Sequence, residues 1–378
     1  MQFPADVPTL TDGVVVLRAH ELGDVEGVVE QCNDPESIRW TTVPVPYGRA
    51  DAQQFVGEMV PEGWRDATSY SWAIETADDT GSPRFAGSID LRPNGAGAAE
   101  IGFGLHPAAR GRHVMRRAVR LALDWGFADA GFAVVHWHAQ VGNWASRRVA
   151  WRLGFRMEGT VRKMLAQRGE LRDCWVGSVL PTDSAEPVTR WFDVATLVGE
   201  DVVLREFTDS DADRVAEACS DERTRHWLAG LPAPYTRLNA LDYIARRREL
   251  HANGAGIWWC IADPATDVCL GNISVMQLDG LDPTSGEIGY WAHPGARGRG
   301  VMTEAVRLVV RHAFAPPDAG GLELRWLSLF CAAGNPASAY VAKQAGFVHT
   351  GTQRAAEPLG DGTYDDLLAF DVLADVDR

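Results

Sequence analysis

Cysteine is scarce in the 378-residue sequence, and it is never paired at short spacing. The six cysteines are scattered along the chain, and none of them forms a CxxC motif. This pattern fits neither a disulfide framework nor a zinc site, and it favours a reducing cytoplasm. An HExxH motif and a carboxylate-rich metal loop are also missing, so we expect no metal cofactor.

Long apolar runs and a surplus of positive charge are missing as well. No stretch approaches the roughly 18 to 20 apolar residues that cross a bilayer, and residues 1–6 lack a basic segment followed by an apolar core. The chain has 36 Lys and Arg against 51 Asp and Glu, a net charge of −15. We therefore expect a cytoplasmic protein that contacts neither nucleic acid nor membrane, and that favours a cationic substrate.

What the sequence does contain is one pattern written twice. Residues 16–18 read Val-Leu-Arg and recur at 203–205, an offset of 187 residues that also carries the Arg-Gly-Arg of 110–112 onto 297–299. Beyond an insertion at 316–321 the offset grows to 192. A period near half the chain is too long for a solenoid, so it indicates two copies of one domain.

The repeat predicts two domains, 1–181 and 199–378, joined by a polar linker at 182–198. In each copy a short β-branched run precedes a polar helix, and turn residues separate three further strands. An amphipathic helix with apolar residues at i, i+4 and i+7 follows, then a strand, a helix and a final strand pair. The predicted class is α+β, with a mixed, mostly antiparallel sheet flanked by helices in each domain.

The segment before the amphipathic helix of the second copy is rich in glycine and arginine. Glycines let a backbone approach a ligand closely, and a helix start presents unpaired N–H groups with about half a positive charge. Such amides beside two arginines would hold a pyrophosphate. A simple glycine turn with exposed arginines is the alternative. The segment consists of Arg297, Gly298, Arg299, Gly300, Val301 and Met302.

This loop is followed by Asn335-x-x-Ser338 and by Gly346-Phe347, and the set resembles the GNAT superfamily of acyl-CoA-dependent N-acetyltransferases. Within that superfamily the sequence is most similar to the branch that acetylates the N-termini of ribosomal proteins. The resemblance covers nearly all of both copies and implies two tandem GNAT-like domains with acetyl-CoA as co-substrate. The pattern departs at Met302, where the superfamily has Gly or Ala.

The resemblance also assigns roles to two residues of the second copy. It places Asn335 on the pantetheine arm of the cofactor and Ser338 where a side chain protonates the departing thiolate. Asn335 has a simpler interpretation, because Asn before Pro336 is a favourable helix N-cap. Many members of the superfamily carry a Tyr four residues after this Ser, but that position is Ala342 here.

The first copy departs further from the pattern. Its loop contains His113 where the second copy has Gly300, so a Cβ and an imidazole occupy the point of closest backbone approach. We expect a weakened or empty cofactor site there, although a charged imidazole could instead add a phosphate contact. The corresponding cofactor-binding candidates are Arg110, Gly111, Arg112, Asn143 and Ser146.

Acetyl transfer to an amine needs a base, because an ammonium has no lone pair. The resemblance points to an acid on or near the third middle strand, where Glu287 and its counterpart Glu100 stand. A solvated glutamate at a strand end is the simpler interpretation, and Asp90 and Asp279 are weaker candidates. Backbone N–H groups near Trp291 and Ala292 could polarise the thioester carbonyl.

Together these features predict a tandem N-acetyltransferase whose second copy moves an acetyl group from acetyl-CoA to a primary amine. The acceptor is a small molecule or a peptide N-terminus, and the route is direct transfer in a ternary complex. A non-catalytic acyl-CoA sensor and an O-acetyltransferase of a hydroxylated compound such as an antibiotic stay open as alternatives. We expect a monomeric pseudo-dimer or a homodimer.

Overall fold

The computed structural model describes residues 7–374, and the chain divides into two compact units between Val188 and Thr189. This boundary falls inside the segment 182–198. The later part of that segment belongs to the C-terminal unit, since Leu197–Val198 forms a strand there and the Trp259 indole donates to the Ala195 carbonyl at 2.8 Å.

The N-terminal unit contains one eight-stranded sheet, ordered β1-β2-β3-β4-β5-β6-β8-β7. A π-helical stretch at Phe55–Met59 joins its third and fourth helices. In chain order the elements are β1 Leu10–Thr11, β2 Val15–Arg18, α1 Val25–Asn33, α2 Pro35–Trp40, α3 Arg49–Gln54, α4 Val60–Arg65, β3 Tyr70–Ala77, β4 Pro83–Pro93, β5 Ala98–Leu105, α5 Val114–Ala128, β6 Val134–Gln140, α6 Trp144–Arg152, β7 Arg156–Gln167 and β8 Glu170–Val179.

The C-terminal unit repeats this arrangement in a sheet ordered β15-β16-β14-β13-β12-β11-β10-β9. Its elements are β9 Leu197–Val198, β10 Val203–Arg205, α7 Ala212–Ser220, α8 Glu222–Trp227, α9 Arg237–Ala252, β11 Gly256–Ala262, β12 Cys269–Met276, β13 Ser285–Ala292, α10 Val301–Phe314, β14 Trp326–Ala332, α11 Pro336–Gln344, β15 Val348–Pro358 and β16 Tyr364–Leu373.

Both sheets are mixed and mostly antiparallel, as the sequence predicts. Within residues 7–374 the parallel pairs are β5 with β6 and β13 with β14. The long amphipathic helices α5 and α10 connect the two strands of each parallel pair, because parallel neighbours need a crossover rather than a tight turn. The α+β class is therefore confirmed.

Helices cover both faces of each sheet, which explains why the central strand β11 is apolar throughout. Every residue of β11 is buried. Trp259 packs in the core formed with α10, and the next residue, Cys260, packs in the core formed with α7 and α9. Successive strand residues point to opposite faces, so a strand buried on both sides loses the alternation of polar and apolar residues.

None of the helices in the described part of the chain is long and apolar enough to cross a membrane.

Candidate active site

The parallel strands of the C-terminal unit separate after four residue pairs. β13 pairs with β14 from Ser285 opposite Trp326 to Ile288 opposite Leu329, and the ladder ends there. Both strands continue, β13 to Ala292 and β14 to Ala332. The result is an opening in the sheet in which backbone groups of β13 lack a partner strand, which leaves them available to a ligand.

The register decides which peptide groups face this opening. The His293 N–H donates to the Leu270 carbonyl at 2.8 Å. In an antiparallel pair the hydrogen-bonded positions alternate, so Trp291 also directs its peptide groups toward β12, whereas Tyr290 and Ala292 direct theirs toward the opening. Of the two amides suggested for the thioester carbonyl, the Ala292 amide is the one that the register leaves free.

The glycine loop leads directly into α10. Gly298 and Gly300 have φ of +73° and +78°, and no atom lies within 4 Å of a Cβ built on either residue. The glycines are therefore required by backbone conformation rather than by space inside the protein. Gly300 is the N-cap and offers no side-chain cap, so the first amides of α10 have no helical partner.

The two arginines of this loop have different surroundings. Arg297 Nη2 donates to Asp221 Oδ2 and, at 2.7 Å, to Thr224 Oγ1, which fastens the loop to the start of α8. Arg299 is 53% exposed, and its Nη2 lies 3.9 Å from Asp263 Oδ2. Arg297 thus stabilises the loop, and Arg299 is the side chain that can turn toward a phosphate.

Asn335 and Ser338 lie at the start of α11, and Ser338 contacts Tyr290 of β13. Asn335 Oδ1 accepts from the Ser338 N–H at 3.3 Å, so the N-cap interpretation of Asn335 holds in this structure. Ser338 Oγ lies 2.9 Å from the Tyr290 hydroxyl, which also reaches the Ser338 carbonyl at 3.2 Å. Burial raises the pKa of Tyr290, so this phenol stays protonated.

The role of Tyr290 was missed by sequence reasoning, although the repeat held a signal. The equivalent residue in the first copy is Phe103, so a hydroxyl has been gained or lost at this position. In the N-terminal unit Ser146 Oγ instead accepts from the Trp137 indole at 3.0 Å. Asn143 keeps its capping role there, accepting from the Ser146 N–H at 3.2 Å.

Two carboxyl groups of the C-terminal unit, Glu287 and Glu357, have raised pKa values. Glu287 accepts from Gln277 Nε2 at 2.7 Å, and burial together with the neighbouring Glu357 raises its pKa. Burial and Asp365 also raise the pKa of Glu357, on β15. Glu357 was missed because strand β15 is far from β13 in sequence. Asp279, a weaker candidate, lies exposed in the turn before β13.

Glu100, the counterpart of Glu287 in the N-terminal unit, has a lowered pKa, whereas the pKa of Glu287 is raised. Glu100 accepts from His138 Nδ1 at 2.8 Å and from Arg92 Nη2 at 2.7 Å. The hydrogen bond from His138 lowers its pKa despite partial burial. Burial raises the pKa of Asp90 to about 6. The two units therefore present different polar groups on equivalent strands.

The loop of the N-terminal unit keeps the shape of its glycine-containing equivalent. His113 has φ of +59° and Gly111 has φ of +75°. Arg110 Nη2 donates to Asp34 Oδ2 at 2.6 Å, repeating the contact of Arg297, and Arg112 Nη2 donates to the Ala77 carbonyl at 2.6 Å. Holding a histidine in the left-handed region costs roughly 1–2 kcal/mol.

Among residues 7–374, one buried group has donors close enough to hold a metal: Asp211, Cys260 and Cys269. The Asp211 carboxylate already accepts two hydrogen bonds of 2.9 Å from Arg205. The prediction that the protein uses no metal stays a prediction.

Comparisons with known proteins agree with this architecture. The family model described as "Acetyltransferase (GNAT) domain" matches residues 15–156 and 201–348. YdaF of Bacillus subtilis (strain 168) is 28% identical over 183 residues, which cover 47% of this chain and 93% of YdaF. The ribosomal-protein-serine acetyltransferase of Escherichia coli (strain K12) is 34% identical over 104 residues, 28% of this chain and 54% of that protein.

One similar solved structure is RimL, a ribosomal L7/L12 alpha-N-protein acetyltransferase in complex with coenzyme A. It is 21% identical, with a TM-score of 0.42, over 48% of this chain and 100% of RimL. Because the family model matches most of the chain, once in each unit, this protein belongs to the GNAT acetyltransferase family and is an acyltransferase with two tandem domains.

Proposed function

We propose that the C-terminal unit transfers the acetyl group of acetyl-CoA directly to a primary amine within a ternary complex. The observation that carries this proposal is the opening between β13 and β14, with the Tyr290–Ser338 hydroxyl pair beside it and the uncapped start of α10 after it. The free and buried cysteines of this chain support a cytoplasmic setting for the reaction.

The cofactor part of the proposal uses backbone groups more than side chains. The unpaired amides of Val301 and Met302 and the exposed Arg299 would hold the diphosphate, because anions bind at helix N-termini. The pantetheine arm would hydrogen-bond to the peptide groups of Tyr290 and Ala292, which the register directs into the opening. Such an extended ligand takes the place that β14 leaves vacant.

The chemical step needs one proton removed and one supplied. A lysine-like amine has a pKa near 10.4, so only about one molecule in 10³ is neutral at pH 7. The Glu287–Glu357 pair would take the proton from the amine, through water, as the nitrogen attacks the thioester carbonyl carbon. The C–S bond breaks, and the departing thiolate takes a proton from Ser338, which Tyr290 holds in place. Water returns a proton to Ser338, and the carboxyl pair releases to water the proton that it took from the amine.

The acceptor class follows from charge. Neither Glu287 nor Glu357 has an ion-pair partner in the part of the chain that the structure describes, so an ammonium group would gain favourable interactions there. The net charge of −15 adds long-range attraction for a cation. The name of the Escherichia coli relative, a ribosomal-protein-serine acetyltransferase, supports a protein acceptor among the candidates.

The test is acceptor-dependent thiol release from acetyl-CoA by the full chain, with peptide α-amines and small amines as acceptors. Gly300→Glu should abolish release, because its carboxylate would occupy the anion site. Gly320→Glu is the matched control, since Gly320 has a similar φ of +75° and equal open space. Saturable binding without release would instead support the sensor, and mass spectrometry of an ester product would support O-acetylation.

A further inference from the structure

The N-terminal unit has a cluster of titratable side chains around Glu100, and apart from Glu287 the equivalent positions of the C-terminal unit are apolar or neutral. Strand registers align the two sheets through Gly102 with Gly289 and Glu100 with Glu287. At the remaining equivalent positions the N-terminal unit has Asp90, Arg92 and His138, whereas the C-terminal unit has Ser274, Met276 and Phe330.

The central contact of this cluster is a histidine–carboxylate pair. His138 Nδ1 lies 2.8 Å from Glu100 Oε2, and Arg92 Nη2 lies 2.7 Å from Glu100 Oε1. The lowered pKa keeps Glu100 ionised, so it accepts the hydrogen bond and the proton of a neutral imidazole resides on Nδ1. Nε2 then carries a lone pair, and no residue between 7 and 374 hydrogen-bonds to it.

This pair lies where the parallel strands of the unit separate. The β5–β6 ladder ends with Ile101 opposite Trp137, so His138 is the first residue of β6 beyond the ladder. The side chain of His138 is 17% exposed and that of Glu100 is 31% exposed. A molecule that enters the opening can therefore reach the imidazole.

The surrounding frame is that of an acyl-CoA site. The His106 N–H donates to the Ala86 carbonyl at 2.9 Å, so the alternation directs the peptide groups of Phe103 and Leu105 into the opening. His113, in the left-handed conformation, caps α5 without a side-chain hydrogen bond, which leaves the first amides of that helix unpaired.

We propose that the N-terminal unit is a second acyl-CoA-dependent acyltransferase site, in which His138 is the base and the acceptor is a hydroxyl group. His138 Nε2 takes the hydroxyl proton as the oxygen attacks the thioester carbonyl carbon. The C–S bond breaks, an ester forms, and the proton passes from the imidazolium to the departing thiolate. Glu100 is a positioning residue that fixes the tautomer and stabilises the imidazolium.

The charges of the cluster favour a neutral hydroxyl over an ammonium. Arg92 pairs with Asp90 at 3.2 Å as well as with Glu100, so each of the two carboxylates already has a cationic partner. Between residues 7 and 374, neither Glu287 nor Glu357 forms an ion pair with a cation. An imidazole oriented by a carboxylate is also the arrangement that activates hydroxyl nucleophiles.

The experiment uses the full chain carrying Gly300→Glu, which silences the C-terminal unit. Acetyl-CoA binding is measured by calorimetry, and ester formation is measured by mass spectrometry with a panel of small alcohols and amines. We expect one bound acetyl-CoA per chain and ester products. His138→Phe, which installs the residue of the other unit, and His138→Gln should both lower ester formation at least 100-fold. His349→Gln, at an exposed histidine of the C-terminal unit, is the matched control and should retain at least half.

The positioning role of Glu100 is tested by measuring kcat and the KM for acetyl-CoA separately. Glu100→Gln should lower kcat about tenfold with KM for acetyl-CoA unchanged, and Glu100→Asp should restore part of it. The proposal is overturned if Gly300→Glu removes all acetyl-CoA binding, if bound acetyl-CoA yields no product, if the products are amides, or if both His138 variants keep ester formation. Circular dichroism of each variant separates these results from loss of the fold.

Discussion

Tyr290 and Ser338 bring two hydroxyl groups to within 2.9 Å of each other across β13 and α11. The equivalent residues of the N-terminal unit, Phe103 and Ser146, make no such pair, because Phe103 has no hydroxyl; Ser146 accepts a hydrogen bond from Trp137 instead. Within the described residues, the hydroxyl pair is therefore a property of the C-terminal unit, where we propose that it supplies the proton to the thiolate.

Removing the phenol should affect turnover more than cofactor binding. Tyr290→Phe, which copies the N-terminal unit, should lower kcat about tenfold while the Kd for acetyl-CoA stays within twofold. The physical reason is that Ser338 loses the partner that orients it, a hydrogen bond that contributes about 1 kcal/mol. Ser338→Ala should lower kcat further, and the double variant should match Ser338→Ala. Additive losses in the double variant would show that the two hydroxyls act independently.

The carboxyl pair predicts an acid limb in the pH profile. Since burial and Glu357 raise the pKa of Glu287, amine acetylation should increase with pH through that raised pKa as the base ionises. Glu287→Gln should remove this limb and lower kcat about 100-fold. Asp279→Asn, in the exposed turn, should keep the profile and the rate within twofold. An unchanged profile in Glu287→Gln would assign the base elsewhere.

The same raised pKa makes a stability prediction with a definite sign. A folded state that holds a carboxyl proton more tightly than the unfolded chain loses stability as pH rises from the ordinary pKa of Glu through the raised one. Glu287→Gln should therefore increase Tm at pH 7 and leave it nearly unchanged at pH 4, as measured by differential scanning calorimetry. A Tm that falls at pH 7 would show that the Gln277 contact outweighs the burial of charge.

Substitutions of the two loop arginines should have different effects: one on acetyl-CoA binding and the other on Tm. Arg299→Ala should weaken acetyl-CoA binding about tenfold without a change in Tm, because a charge-assisted hydrogen bond contributes about 1.5–3 kcal/mol. Arg311→Ala removes the same charge from the far end of α10 and should leave binding within twofold. Arg297→Ala should lower Tm, since it leaves Asp221 without its cation. Equal binding losses in Arg299→Ala and Arg311→Ala would indicate a general charge effect.

Replacing His113 with glycine should increase both the stability of the protein and acetyl-CoA binding by the N-terminal unit. His113→Gly should relieve left-handed strain and increase the free energy of unfolding by about 0.5–1 kcal/mol, the balance of strain against glycine's chain entropy. It should also tighten acetyl-CoA binding by the N-terminal unit. Unfolding in urea and calorimetry in the Gly300→Glu background test the two effects. Weaker binding would show that the imidazole contacts the phosphate.

The fold could be predicted from the sequence because the duplication presents the pattern of each helix and strand twice. The helix starting at Val301 and the strand pairs around Glu287 were predicted from periodicity within a few residues of their observed bounds. The two acetyltransferase domains were predicted from the loop that precedes this helix, and the family match confirms them.

The side-chain partners did not follow from the sequence, for a physical reason. Arg297 was assigned to phosphate, but its partner Asp221 lies 76 residues away, at the start of another helix. Glu357 reaches Glu287 only through the pairing of β15, β16, β14 and β13. Long-range contacts of this kind depend on sheet order, which local spacing does not encode. The repeat also held a signal at Tyr290 and His138, where one copy differs chemically from the other, but the sequence analysis missed both residues.

The most direct test of the account is a crystal structure of the full chain with coenzyme A bound. We predict that the diphosphate lies within hydrogen-bond distance of the Val301 and Met302 amides, and that the pantetheine arm runs between β13 and β14. Coenzyme A bound elsewhere on the C-terminal unit, or its absence from that unit at saturating concentration, would contradict the account.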